Sequence, residues 1–178
     1  MRVHRVHRDD RHRFSKSPAG EIELIEGFGV EGDAHAGATV QHLHLQRRNR
    51  TAPNLRQVHL IPLEMLDELA VNGYDVAPGE LGENIVTAGL DLFELPVGTT
   101  LHLGDTAILT VTGLRDPCSQ INKLRKGLLK QVLTKTEDGS IVRRAGIMSV
   151  VTVGGTVRPG DQLTITLPPA PHEPLDLV

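Results

Sequence analysis

"VGTTLHLGDTAILTV", residues 97–111, decides the fold, because the chain repeats it. "VGGTVRPGDQLTITL", residues 153–167, aligns with it without gaps, with Val, Gly, Thr, Gly, Asp and Thr identical. Each copy reads as strand, Gly-Asp turn, strand, since glycine supplies the positive φ that a tight hairpin requires. Two copies are too few for a solenoid, so the echo is read as two hairpins solving one geometric problem.

Outward from this pair, glycine and proline punctuate short β-branched runs at 21–27, 56–61, 84–89, 106–114, 147–155 and 162–167, all read as strands. Two helices are predicted, at 62–72 and at about 118–134. The first opens at Pro62 and closes at Gly73; the second puts Ile121, Leu124, Leu128, Leu129 and Val132 on one face. Many short strands and few helices predict a mainly β fold, a closed or nearly closed β-barrel decorated with helices. The tail, "PPAPHEPLDLV" (168–178), reads as a proline-stiffened terminus with little packing capacity.

At 178 residues the chain suits one domain with a proper core. Its 39% hydrophobic content is that of a globular protein, and no apolar run reaches the roughly 18 residues of a spanning helix. No membrane association is therefore expected. The basic start "MRVHRVHRDDRHRF" lacks the apolar centre of a secretory signal. A single cysteine rules out an internal disulfide, and a cytoplasmic location is expected. A net charge of −3 and 2% aromatic residues argue against a nucleic-acid partner, which would need a basic face or stacking platforms.

The one thiol lies in "VTGLRDPCSQINKL" (111–124), where a β-branched run ends and a helix is predicted to begin. With Asp116 as N-cap and Pro117 as first helical residue, Cys118 would fall in the first turn, where unpaired N–H groups favour an anion. Thiolates so placed act as nucleophiles or metal ligands. Arg115 would add a cation and Asp116 oppose it. The alternative is that a lone cysteine is a small buried hydrophobe.

"GFGVEGDAHAG" (27–37), "GELGEN" (79–84), "RDPC" (115–118) and "RPGD" (158–161), taken in that order, resemble the MOSC family, the domain named for the C-terminal part of molybdenum-cofactor sulfurases. The resemblance covers nearly the whole chain and implies a single MOSC domain over 1–168, with 169–178 a Pro-rich tail. It implies a MOSC-type β-barrel that binds molybdenum cofactor, with Cys118 carrying sulfur as a persulfide or ligating molybdenum. Reduction of N-hydroxylated bases or amidoximes is the activity that follows by analogy. The alternatives are a sulfur relay or cofactor carrier without turnover, and a molybdenum-free barrel with a structural cysteine. Implied partners are a sulfur-donating desulfurase or an electron-donor protein. Larger members carry a pyridoxal-phosphate desulfurase module; none is seen in these residues, so pyridoxal phosphate is not expected in this chain. The sequence departs from the family pattern at Asp116, where an uncharged residue is expected.

Beside Cys118, six residues are assigned to the cofactor. Lys16, Arg115 and Arg144 are cations suited to phosphate or pterin contacts. Glu83 and Asn84, in a segment that also reads as plain turn chemistry, are assigned hydrogen bonds to the pterin's donor-rich edge. His35 is taken as a cofactor-side donor or a turn residue. Asp33 and His35, two apart, also invite a metal reading, with His42 and His44 nearby. A structural zinc site normally recruits four ligands, and a full set is not evident. Lys16, Asn84, Arg115, Cys118 and Arg144 are expected to converge on one concavity.

Overall fold

The computed structural model describes residues 1–42, 46–47, 49–136 and 139–178. His44 lies outside the described residues. The fold is mainly β. An eight-stranded sheet runs in the order β13 (Leu163–Thr166), β7 (Thr100–Leu103), β8 (Ala107–Leu114), β11 (Ile147–Val153), β5 (Val58–Pro62), β6 (Ile85–Ala88), β1 (Arg2–Arg8), β2 (Ser17–Ala19). A smaller sheet holds β12 (Gly155–Val157), β3 (Ile22–Ile25) and β4 (Gly29–Val30). Strand β8 alternates buried and half-buried residues along its whole length, the period-2 pattern of a strand with one face in the core. Strand β5 is buried throughout between β11 and β6. It pairs with β6 in parallel, and the crossover this demands is helix α1 (Leu63–Val71) and the loop after it.

The sheet does not close into a barrel. The edge of β1 opposite β6 is shared: residues 6–8 pair with β2, while Arg2 bridges Gln162 just before β13. Val3 exchanges backbone bonds with Asp161 and Gly160, both 2.8 Å, so the gap is spanned without a continuous ladder. Inside, Val3, Leu24, Leu60, Leu101, Leu109 and Ile147 belong to one buried cluster. A second cluster joins Met65, Leu66 and Leu69 of α1 to Ile121, Leu128 and Val132.

Three expectations need correction. The first copy of the echo is a true hairpin, β7–β8, but the second is not. Strand β12 pairs with β3 and β13 with β7, so the strands diverge around Gly160. The turn chemistry itself is shared, with φ +58° at Gly104 and +95° at Gly160. Next, the long second helix is broken into α2 (Ile121–Leu124) and α3 (Leu129–Val132). Arg125 leaves helical geometry (φ −145°, ψ 126°), and Gly127 adopts φ +90°. The chain then enters a hairpin of β9 (Leu133–Lys135) and β10 (Ile141–Arg143).

Last, the tail packs. Glu173 accepts from Val97 N–H at 2.9 Å, and Asp176 from Leu114 N–H at 2.8 Å. Leu175 rests on the core. Gly113 has ordinary strand geometry, yet a Cβ there would lie 2.6 Å from Val178 Cγ1. Glycine in the longest strand therefore makes room for the tail.

Candidate functional site

A cleft of about 520 Å³ opens where loop 9–16, loop 31–42, the segment after β8 and the tail meet. Among the described residues, its lining carries Arg13, Lys16, Arg56 and Arg115 together with the carboxylate of Asp116. His12, His35, His42 and His59 contribute the remaining titratable walls, and Leu177 and Val178 an apolar edge.

Cys118 is exposed at this cleft, so it is not a core residue. Nor does it lie inside a helix. Its carbonyl accepts from Ile121 N–H at 3.1 Å, closing a turn that precedes the four-residue α2. Asp116 and Pro117 are therefore not the cap and first residue of a helix; the segment leaving β8 is irregular until residue 119.

Arg115 is half-buried, with its guanidinium 5.6 Å from the Phe14 ring centroid. Its Nη1 is enclosed and has no partner among the described residues. Burial draws the Arg115 pKa down, opposed by the Cys118 thiol, Glu83 and Asp116, while Arg56 adds to the fall. Burial also lowers the pKa of Arg56, and there Asp116 opposes it. The unexpected carboxylate thus favours the charged forms of both arginines.

Beneath the cleft, Asp33 ties its own loop to loop 9–16 and to Asn84. Its Oδ2 accepts from Lys16 Nζ at 2.6 Å, Asn84 Nδ2 at 3.0 Å and Asp9 N–H at 3.3 Å. Its Oδ1 accepts from the His35 N–H at 2.9 Å and contacts His35 Nδ1 at 3.3 Å. Burial would raise the Asp33 pKa, but the His35 bond and the Lys16 charge outweigh it and hold the carboxyl below its usual range. Burial lowers Lys16, with Asp33 the main opposing influence.

The structure thus brings Lys16, His35, Asn84, Arg115 and Cys118 to one cleft. It does not bring Glu83 or Arg144. Glu83 is fully buried behind the lining, where Oε1 accepts from Gly79 N–H and Oε2 has no partner among the described residues. Burial raises its pKa. Arg144 instead pairs with Glu68 of α1 at 2.8 Å and lies 5.4 Å from the Phe93 ring centroid. Asn84 reaches the cleft wall, yet its amide is engaged internally. Nδ2 donates to the His7 carbonyl and Asp33, and Oδ1 accepts from His59 N–H at 3.2 Å. It is a clasp between β1, β5 and the Asp33 loop.

No group of three or more His, Cys, Asp or Glu that could hold a metal ion occurs among the described residues. Asp33 and His35 bond each other instead. Sequence reasoning missed Asp33 as a hub, and it missed Phe14, Arg56, His59 and the tail. Asp33 had a signal, a short carboxylate two residues from a histidine in a glycine-rich loop. The others come from distant segments with none.

The fold resembles that of several solved proteins. The YUAD protein from Bacillus subtilis superposes with a TM-score of 0.76 at 23% identity, covering 92% of this chain and 93% of that one. YiiM from Geobacillus stearothermophilus gives 0.64 at 17%, over 93% and 74%. YiiM from Escherichia coli gives 0.62 at 22%, over 97% and 73%. At such identities the likeness shows the fold alone. No curated protein matches the sequence closely enough to count as a relative. The MOSC domain model matches residues 34–164, which include the His35 loop, the β7–β8 hairpin and Cys118. The chain belongs to the MOSC domain family.

Proposed function

We propose that the cleft binds the molybdenum cofactor, with Cys118 as its sulfur carrier or molybdenum ligand. One observation carries this reading: an exposed thiol shares a cleft with Arg115, whose enclosed Nη1 lacks a partner among the described residues. An enclosed, unpaired cationic donor calls for an anionic ligand, since leaving it unmade costs about 1–3 kcal/mol or more. The cleft's volume falls in the range of small-molecule sites, and its cations outnumber its carboxylate. Family membership points to the same group, which is associated with MOSC domains.

When bound, the cofactor would supply a redox-active metal held by soft sulfur ligands. The chain's own residues would hold its charge and position the thiol. Arg56 and Arg115 suit a phosphate, Arg115 as a fork for paired oxygens. Lys16 is neutralised by Asp33, so it serves as a fixed donor rather than a free charge. As a sulfur carrier, the Cys118 thiolate attacks the outer sulfur of a persulfide on a desulfurase. The donor's S–S bond breaks, its cysteine leaves as a thiolate, and Cys118 gains the new S–S bond with no net oxidation. Reduction of an N-hydroxylated base or amidoxime would consume two electrons from a partner protein and two protons. The N–O bond breaks, N–H replaces it and water leaves. Such chemistry belongs in a reducing, cytoplasmic setting, where a single exposed thiol stays free.

Incubation with a cysteine desulfurase and cysteine, followed by intact-mass analysis, tests the carrier step. Native protein should gain one sulfur atom and Cys118→Ser none. Equal loading of both would remove Cys118 from the mechanism. Turnover of an amidoxime with a chemical reductant separates the enzyme from a carrier without turnover.

A further inference from the structure

We propose that Asp33 is the positioning residue of the cleft: it fixes His35 as the Nδ1–H tautomer, leaving Nε2 as an acceptor for a heterocycle that presents N–H donors. The pterin as the particular heterocycle rests on the function proposed above; the tautomer does not.

The argument begins with what a carboxylate can do. An ionised carboxylate only accepts hydrogen bonds, so every group bonded to it must donate. Asp33 is sealed from solvent, with 2% side-chain exposure, and is ringed by donors: Lys16 Nζ, Asn84 Nδ2, two backbone N–H groups and His35 Nδ1. The His35 Nδ1 facing Oδ1 must therefore carry the proton. A neutral imidazole holds one N–H, so its Nε2 is left with a lone pair. No described residue bonds Nε2, and the side chain lines the cleft with 21% exposure. The same logic orients metal-binding histidines, where a carboxylate behind the ring sets which nitrogen is free.

Such an atom adds a neutral acceptor to a lining rich in donors. Arg13, Lys16, Arg56 and Arg115 are donors without acceptors. Asn84, the expected partner for a donor-rich ring edge, has its amide engaged internally. His12 Nε2 donates to the Gln41 carbonyl at 3.3 Å, which leaves its Nδ1 as an acceptor, but on an exposed ring with no carboxylate behind it among the described residues. His42 packs 4.8 Å from the His35 ring but has no carboxylate partner among the described residues to set its tautomer. Among these rings His35 is the one whose tautomer a buried carboxylate sets, so it offers the cleft an ordered neutral acceptor.

Asp33→Asn is a sharp probe because it preserves shape and inverts polarity. An amide nitrogen in the Oδ2 position would face Lys16, Asn84 and Asp9 N–H, all donors. With three donors at Oδ2 against one fixed donor, the His35 N–H, at Oδ1, the amide oxygen favours Oδ2 and places NH₂ against His35 Nδ1. Nδ1 then becomes the acceptor and the proton moves to Nε2. Histidine-¹⁵N NMR of the cofactor-free protein, at a pH where the imidazole is neutral, reads this directly. Native protein should show His35 as Nδ1–H, Asp33→Asn as Nε2–H, and Asp33→Glu a return toward the native signature. Titration with 6-hydroxymethylpterin should then show roughly tenfold weaker binding for Asp33→Asn, a 1.4 kcal/mol effect. A native His35 in the Nε2–H form overturns the assignment, and this needs no variant to fold. The predicted tautomers with equal pterin affinity in both proteins would overturn the acceptor role. If native protein binds no pterin, the ligand and the function proposed above both fall, while the tautomer stands on the NMR.

Discussion

Lys16 Nζ lies 2.6 Å from Asp33 Oδ2, with side-chain exposures of only 3% and 2%. Each charge has been taken out of water and is tolerable because the other is there. Removing one partner strands the second, which costs about 3–5 kcal/mol for a buried pair. Lys16→Met and Asp33→Asn should each lose stability on that scale, and the double variant should lose less than the sum. Urea unfolding of the four proteins measures the coupling. Additive losses would mean that the pair carries no interaction of its own.

Acid should weaken the fold before ordinary carboxylates titrate. Burial, with Lys16 and Arg5 adding, lowers the His7 pKa to about 4. Burial, with His35 adding, lowers His42 to about 3, and burial places His59 well below its usual value. Unfolded histidines protonate near pH 6.5, so below that value these three sites bind more protons in the unfolded chain than in the native one, against the opposite and single contribution of Glu83. Stability is then full above about pH 6.5 and declines as pH falls toward 4. Asp33, also depressed, adds its own loss only as pH falls below the unfolded value near 3.8. Urea midpoints measured from about pH 7 down to about pH 5 should fall steadily. A flat profile would contradict neutral, buried histidines.

Gly113→Ala tests the tail. The new Cβ would press on Val178 Cγ1 and the Asp176 carbonyl, so about 1–3 kcal/mol of destabilisation is expected from overpacking. In a chain ending at His172 the same substitution should be nearly neutral, because its obstacle is gone. Thermal melting of the two pairs decides this. An equal cost in both would place the strain within β8 instead.

Strands were legible wherever pairing is local or the burial pattern is strict. Strand β8 announced itself as a β-branched run between turn residues, and the Gly104 turn by its glycine. The turn at Gly160 was read correctly, but its strands find partners far away, β12 on β3 and β13 on β7, and a local repeat carries no record of that. The apolar spacing from Ile121 to Val132 predicted burial faithfully. It could not show that Gly127 would turn the chain at φ +90°, where a Cβ would meet Tyr74 Oη at 2.7 Å. At the cleft, Lys16 and Arg144 looked alike as cations. Packing separates them, because Lys16 is drawn inward by Asp33 while Arg144 finds Glu68 on α1.

Arg115→Gln should be structurally mild yet weaken anion binding. Losing the guanidinium removes the enclosed Nη1 and the stacking on Phe14, the latter about 0.5–1 kcal/mol at a partly exposed site. Protein expressed in a host competent for molybdenum-cofactor synthesis should retain roughly tenfold less pterin than the native chain, since hydrogen bonds to charged groups contribute about 1.5–3 kcal/mol. Undiminished pterin in a folded variant would place the anion elsewhere.

The central claim is that this cleft holds the molybdenum cofactor beside the Cys118 thiol. Its most direct test is the molybdenum and pterin content, per chain, of native protein and Cys118→Ser purified from the same cofactor-competent host. Native protein should carry both in near-equal amounts. The serine variant, altered at an exposed position, should fold normally and lose molybdenum or its sulfur loading. Native protein free of molybdenum and pterin, or a serine variant indistinguishable from it in content and sulfur, would contradict the account.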